Sequence, residues 1–232
     1  MATAVGGQKP QLLYFNVPGR VAGLRIMLFT AYGKDGWVDR RVEFKDWPQI
    51  KATLPLQFVP LLTLPDGRTV HQADTMMRWA AKKAELYPAD PDEALFVDEM
   101  ISTVYEALSK APRPSSLVTK EMLPELWAEF TAGPMKMYLD YIQGRIAGPF
   151  FRGRDLTAAD LTLYMLVNYF VNGEISFVPM SYMDGWPGIR AHYAAVKEHS
   201  LVVAYDAAYA ASDAINEVKE FEKVDTSAIG KS

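Results

Sequence analysis

The 232-residue chain has no cysteine and only three histidines, His71, His192 and His199, set far apart. Without a thiol there is no disulfide, no thiolate metal site, no cysteine nucleophile and no thiol–disulfide exchange. The histidine spacing matches no metal-ligand motif, so no metal site is expected. Long apolar runs are also missing: LTLYMLVNYFV, at 161–171, falls short of a bilayer span. The opening MATAVGGQKP lacks the basic start and apolar core of a secretory signal. No cluster of Lys and Arg stands out, and a formal charge of −4 with a pI near 5.5 gives no electrostatic footprint for nucleic acid. These absences together lead us to expect a soluble, cytoplasmic protein with neither nucleic-acid nor membrane partners.

Half of the residues are hydrophobic, enough for a chain of this length to bury a substantial core. Short apolar runs alternate with helical patterns over the first third. QLLYF (11–15) reads as a strand, VAGLRIMLFTAY (21–32) as a helix stopped by Gly33, and WVDRRVEF (37–44) as a second strand. DWPQIKATL (46–54) opens with Asp ahead of a proline, a helix start. VPLLTL and RTVH flank PDG, so 59–71 reads as a hairpin, and 75–87 as an amphipathic helix.

The order strand, helix, strand, helix, strand, strand, helix predicts a small α/β domain over 11–87. A Pro- and acid-rich break follows at 88–94. Residues 95–218 read as an all-helical domain, with helical patterns at 95–110, 120–146, 187–199 and 201–218. In DLTAAD, Thr157 and Asp160 have the spacing of a capping box, with Leu156 placed to staple the first turns. The ends, 1–10 and 219–232, are expected to be flexible.

Tyr14 closes the first strand just before the turn NVPG. An amphipathic tyrosine there either caps the core or holds its hydroxyl over a cleft, and the position alone leaves both open.

The segments LLYFNVPGRVAGLR, VEFKDWPQIKA, FVPLLTLPDG and VHQADTMMRW, in this order and at these intervals, resemble the N-terminal domain of cytosolic glutathione S-transferases. The sigma class, with the glutathione-dependent prostaglandin D synthases and the S-crystallins, is the part of that family most similar in these motifs. FFRGRDLTAADLTLYML resembles the capping-box segment of the family's helical domain, and the resemblance extends over about residues 11–212.

It implies a thioredoxin-like βαβαββα domain followed by an all-helical one, and a homodimer. Glutathione is the implied cosubstrate and a small hydrophobic electrophile the second substrate. Tyr14 takes the place of the catalytic tyrosine, with Arg20 near the thiol. Val59, before a cis Pro60, matches the residue whose backbone pairs with the cysteinyl unit. Trp47 and Lys51 match donors to the glycyl carboxylate, and Gln72 and Ala73 the γ-glutamyl carboxylate site. Asp98 matches the carboxylate that a second subunit extends to the γ-glutamyl ammonium, and Phe15, Tyr105 and Ser109 fall where the second substrate docks.

One departure stands out. The family's usual Ser after that Gln is Ala73 here, which removes a hydrogen bond to a charged group worth roughly 1.5–3 kcal/mol. Two functions are therefore carried forward: a glutathione transferase activated by Tyr14, which conjugates glutathione to a small hydrophobic electrophile or isomerises or reduces it, or a catalytically weak relative used as a structural or interaction protein.

Overall fold

The structure is a computed structural model that describes residues 8–210. The stretches expected to be flexible therefore lie outside the described residues except for 8–10, as does the part of the last expected helix beyond residue 210. The elements run β1 (Gln11–Phe15), α1 (Ala22–Tyr32), β2 (Val38–Val42), α2 (Trp47–Lys51), β3 (Leu61–Thr63), β4 (Thr69–Val70) and α3 (Ala73–Lys83). Then come α4 (Pro91–Ser109), α5 (Leu123–Phe130), α6 (Lys136–Gln143), α7 (Ala158–Val171), α8 (Pro187–Glu198) and α9 (Ser200–Ala210). Among the described residues no helix is long and apolar enough to cross a membrane. Two compact units result, one of the described residues up to Ala84 together with α9, the other of Glu85–His199.

In the first unit the strands lie in the order β2-β1-β3-β4. β1 pairs with β2 in parallel and with β3 antiparallel, and β3 pairs antiparallel with β4. This is the βαβ start and closing hairpin that the alternating patterns predict. The hairpin closes through Leu64 N–H to Arg68 O at 2.8 Å, with Gly67 at φ 87°, a conformation that glycine takes without cost. Period-2 alternation sends Leu13 and Phe15 to one face, where Leu13, Val42, Leu54 and Leu61 form a buried cluster flanked by Phe15, Trp47, Ile50 and Val59. Leu12 and Tyr14 occupy the opposite face. On α1 and α3, Leu24, Met27, Leu28, Met76, Met77 and Ala80 are fully buried.

Several boundaries differ from those read in the sequence: α3 runs over Ala73–Lys83 instead of 75–87, β2 and α2 are shorter than read, and three further differences have a clear physical cause. The break at 88–94 is shorter, because Asp90 caps α4 and accepts from the amides of Asp92 and Glu93 at 3.1 and 3.0 Å. The signal was present: Asp, then Pro91 at the first helical position, then an acidic first turn. The helix expected over 120–146 is interrupted by a π turn at Thr131–Met135 containing Pro134, whose missing N–H breaks the hydrogen-bond ladder. Finally, the domain expected over 95–218 loses α9 to the first unit. Tyr205 and Tyr209 set their rings 5.8 and 5.9 Å from Phe29 of α1, so aromatic packing outweighs chain order.

The second unit is helical throughout. Its centre is α7, buried on nearly every side, and its first turn is fastened by Asp160. The Oδ2 atom of Asp160 accepts from the Thr157 amide at 2.7 Å and from its hydroxyl at 2.8 Å. The Oδ1 atom accepts from Phe151 N–H at 2.8 Å and pairs with His192 Nε2 at 2.9 Å. Thus the expected capping box is present, and a buried histidine from α8 joins it.

Candidate active site

Strand register alone gathers most of the candidate residues at one end of the sheet. Tyr14 and Phe15 end β1, and the parallel pairing of Phe15 with Val42 delivers β2 to the same end, from which the chain leads into Trp47. Leu13 opposite Leu61 brings the Val59-Pro60 turn, immediately before β3, beside the end of β1. Leu62 opposite Val70 places His71 and Gln72, immediately after β4, beside Pro60. Four chain segments thus converge on one edge from pairing geometry alone.

Tyr14 is 7% exposed, and its hydroxyl oxygen accepts the Arg20 N–H at 3.3 Å. The phenol uses its oxygen as an acceptor there, so its own O–H remains a donor directed elsewhere. Gly19, at φ 45°, leaves no alternative residue: a β-carbon would stand 2.9 Å from both the Tyr14 hydroxyl oxygen and Cε1. The loop backbone therefore lies directly on the catalytic candidate's ring.

Trp47 and Lys51 begin and end the short α2, one helical turn apart. Trp47 packs edge-on against Phe15 at 5.1 Å, and Phe15 in turn stacks on Phe44 at 4.7 Å. The Val59-Pro60 peptide bond is cis, and Val59 leans on the same apolar cluster.

Gln72 precedes α3 at φ 75°, a left-handed conformation for a side-chain-bearing residue. Such backbone is sustained only where surrounding structure enforces it and recurs at ligand sites. Ala73 is buried at the helix start, and the Asp74 carboxylate pairs with Arg78 at 2.9 Å. That pairing draws the carboxylate's charge along the helix, so it does not stand bare beside the amino end.

His71 sits behind this edge with Phe58 edge-on at 5.1 Å. Neither ring nitrogen has a partner in hydrogen-bond geometry, and burial holds its pKa below the ordinary 6.5, the nearby Pro60 carbonyl only partly offsetting this. The sign follows from linkage: below pH 6.5 the unfolded chain binds the proton more readily than the folded one. The stability His71 contributes is present above 6.5 and is lost as pH falls toward its folded value. Thermal melts between pH 5 and 7 are expected to show this acid slope, and His71→Phe is expected to flatten it.

Asp98, Tyr105 and Ser109 all belong to α4 of the second unit. Tyr105 is a core residue whose hydroxyl meets Met165 Sδ at 3.7 Å, and Ser109 turns its hydroxyl to the Glu106 carbonyl at 2.7 Å. Phe15 packs between Phe44 and Trp47, so Phe15, Tyr105 and Ser109 each have a packing or helix-end contact of their own.

Arg25, on α1, escapes the motif reading altogether. It is 2% exposed, donates from Nε to Asp39 at 3.0 Å, and reaches the carbonyls of Phe15 and Val17 at 3.2 and 2.5 Å. A lone arginine inside the apolar run VAGLRIMLF is a signal that could have exposed it, because a buried cation requires a partner.

A family model of the glutathione S-transferase C-terminal domain matches residues 115–208. Human hematopoietic prostaglandin D synthase is 33% identical over 153 residues, which cover 65% of this chain and 73% of that protein. Drosophila melanogaster glutathione S-transferase S1 is 29% identical over 186 residues, 77% of this chain and 70% of that one. Among solved structures, prostaglandin synthase D of Nilaparvata lugens superposes with a TM-score of 0.73 at 24% identity, covering 91% of this chain and all of the other. A glutathione transferase homologue from Sulfitobacter, solved with bound glutathione, reaches a TM-score of 0.67 at 21% identity, over 86% of this chain and 97% of that one. The chain belongs to the glutathione S-transferase family.

Proposed function

We propose that the protein is a sigma-like glutathione transferase that binds glutathione at the sheet edge of the first unit and ionises its thiol through Tyr14. The observation that carries this reading is the Tyr14 hydroxyl, which takes the Arg20 N–H as acceptor and retains its own proton to donate. Trp47 and Lys51 serve the glycyl carboxylate, the Val59 backbone the cysteinyl unit, and the Gln72–Ala73 turn with the first amides of α3 the γ-glutamyl carboxylate. A second copy of the chain, through Asp98, would complete the site for the ammonium. The thiolate then attacks a small electrophile, forming a carbon–sulfur bond as the electrophile's leaving group departs, or adds to its activated double bond, with solvent supplying a proton to the neighbouring carbon. The thiol proton goes to solvent, and Tyr14 stays neutral throughout.

Thiolate absorbance in the ultraviolet, followed against pH for glutathione bound to the protein, tests this. The bound thiol is expected to ionise about two pH units below the free one, a preference of roughly 3 kcal/mol for the charged form. Superimposable titrations of bound and free glutathione would instead favour the catalytically weak relative, which Ala73 supports.

Ala73 also sets a prediction about affinity. A serine hydroxyl at that position adds a charge-assisted hydrogen bond, so Ala73→Ser is expected to tighten glutathione binding about tenfold by calorimetry. An unchanged dissociation constant would mean that backbone amides alone hold the carboxylate.

A further inference from the structure

We propose that Arg25 is a positioning residue for thiol activation, holding the loop that sets the Tyr14 hydroxyl in its donating orientation; this rests on the reading of Tyr14 given above. The guanidinium holds the first part of the loop between β1 and α1, from Phe15 to Pro18. Its Nη2 donates to Phe15 O at 3.2 Å, and its Nη1 to Val17 O at 2.5 Å and, more weakly, Pro18 O at 3.5 Å. Nε is pinned to Asp39 Oδ1 and Oδ2 at 3.2 and 3.0 Å.

Asp39 accepts also from Arg41 at 2.8 Å; Arg41 reaches the Asn16 side-chain carbonyl at 3.3 Å, and Asn16 donates to Glu43 at 3.0 Å. Every residue from Phe15 to Pro18 thus has a backbone or side-chain polar group tied to α1 or β2. The next two residues touch Tyr14. Gly19 lies against the ring with no room for a β-carbon, and Arg20 N–H binds the hydroxyl. Any movement of the loop is therefore a movement of the group that orients the phenol.

A buried ion pair is weak evidence for stability, since desolvation of both charges offsets their attraction. What an apolar side chain of similar volume cannot supply is a rigid fork of donors matched to successive carbonyls. The Arg25 Cζ also stands 5.9 Å from the Tyr14 ring centroid.

Arg25→Lys keeps the charge and loses the fork. In this variant the bound thiol is expected to ionise about one pH unit higher than in the wild type, with kcat down about tenfold in mildly acidic buffer and KM for glutathione within about twofold. In a Tyr14→Phe background the same change is expected to move the thiol titration no further, because its effect passes through the phenol. A merely structural Arg25 would lower the melting temperature and the active fraction, leaving the thiol titration of the folded complex where it was. Coincident wild-type and Arg25→Lys titrations overturn the inference, as does a further shift in the Tyr14→Phe background. Should Arg25→Lys fail to fold, Asp39→Ala, which frees Nε but leaves the loop bonds, is expected to shift the titration in the same direction by a smaller amount; coincidence there overturns it equally. If even the wild-type complex ionises like free glutathione, the Tyr14 reading itself fails and this inference goes with it. Normal wild-type activation with an unmoved Arg25→Lys titration removes this inference alone.

Discussion

Tyr14→Phe is expected to lower glutathione-dependent turnover about fiftyfold near pH 6.5 while leaving glutathione affinity within about threefold. The size follows from ionisation. With the thiol's pKa lowered by about two units from roughly 8.5, about half of the bound glutathione is thiolate at that pH, against roughly one part in a hundred without the phenol. The defect should therefore shrink as pH rises and nearly vanish about one unit above the free thiol's pKa, where solvent removes the proton unaided. That convergence separates a hydrogen-bond donor from a residue that merely shapes the pocket, whose loss would depress turnover equally at every pH. Phenylalanine preserves the ring that lies against Gly19, so the fold is expected to lose only about 1 kcal/mol, the value of the Arg20 N–H bond. Unchanged turnover in mildly acidic buffer would remove Tyr14 from the mechanism.

The largest effect on stability is expected at Asp160. Both of its oxygens are buried, and replacing it with alanine strands the amides of Phe151 and Thr157, the Thr157 hydroxyl and His192 Nε2 together. His192 is already left with an unpartnered Nδ1 between aromatic rings, so it would lose its one hydrogen bond. Leaving several buried donors unpaired costs about 3–5 kcal/mol, which in a chain of this size lowers the melting temperature by about 10 °C. Asp160→Asn keeps the shape but turns an amide N–H₂ toward existing donors, and is expected to recover little of the loss. Thermal denaturation of both variants checks this; a fall of only 1–2 °C for Asp160→Ala would mean that water replaces the carboxylate. Glutathione affinity is expected to survive in the folded fraction, since every candidate residue of the sheet edge lies in the other unit.

Much of the architecture was legible in the chain because local physics decided it. The strand QLLYF, the Asp-Gly hairpin, the helix ending before Gly33 and the Thr157–Asp160 box each depend on residues within a turn of one another. Reading failed where a distant partner or a single backbone atom governed. Pro134 breaks a strongly amphipathic pattern through one absent N–H, and α9 follows Phe29 rather than its neighbours in sequence. The acidic cap at Asp90 was readable but masked by the prolines around it.

By itself, the amino-acid sequence determined the chemistry available: no thiol, a phenol at a strand end, an indole and an ammonium one helical turn apart, and an alanine where a hydroxyl was expected. Only the tertiary structure decided where these groups meet. Strand register gathers the segments around Tyr14, Val59, Pro60 and Gln72 at one sheet edge. The Arg20 amide comes to the Tyr14 hydroxyl through a loop held by Arg25 and Asp39, residues no local pattern connects. Periodicity records which face a residue takes, whereas hydrogen bonds between residues far apart in the chain depend on closure of the whole sheet and leave no local trace.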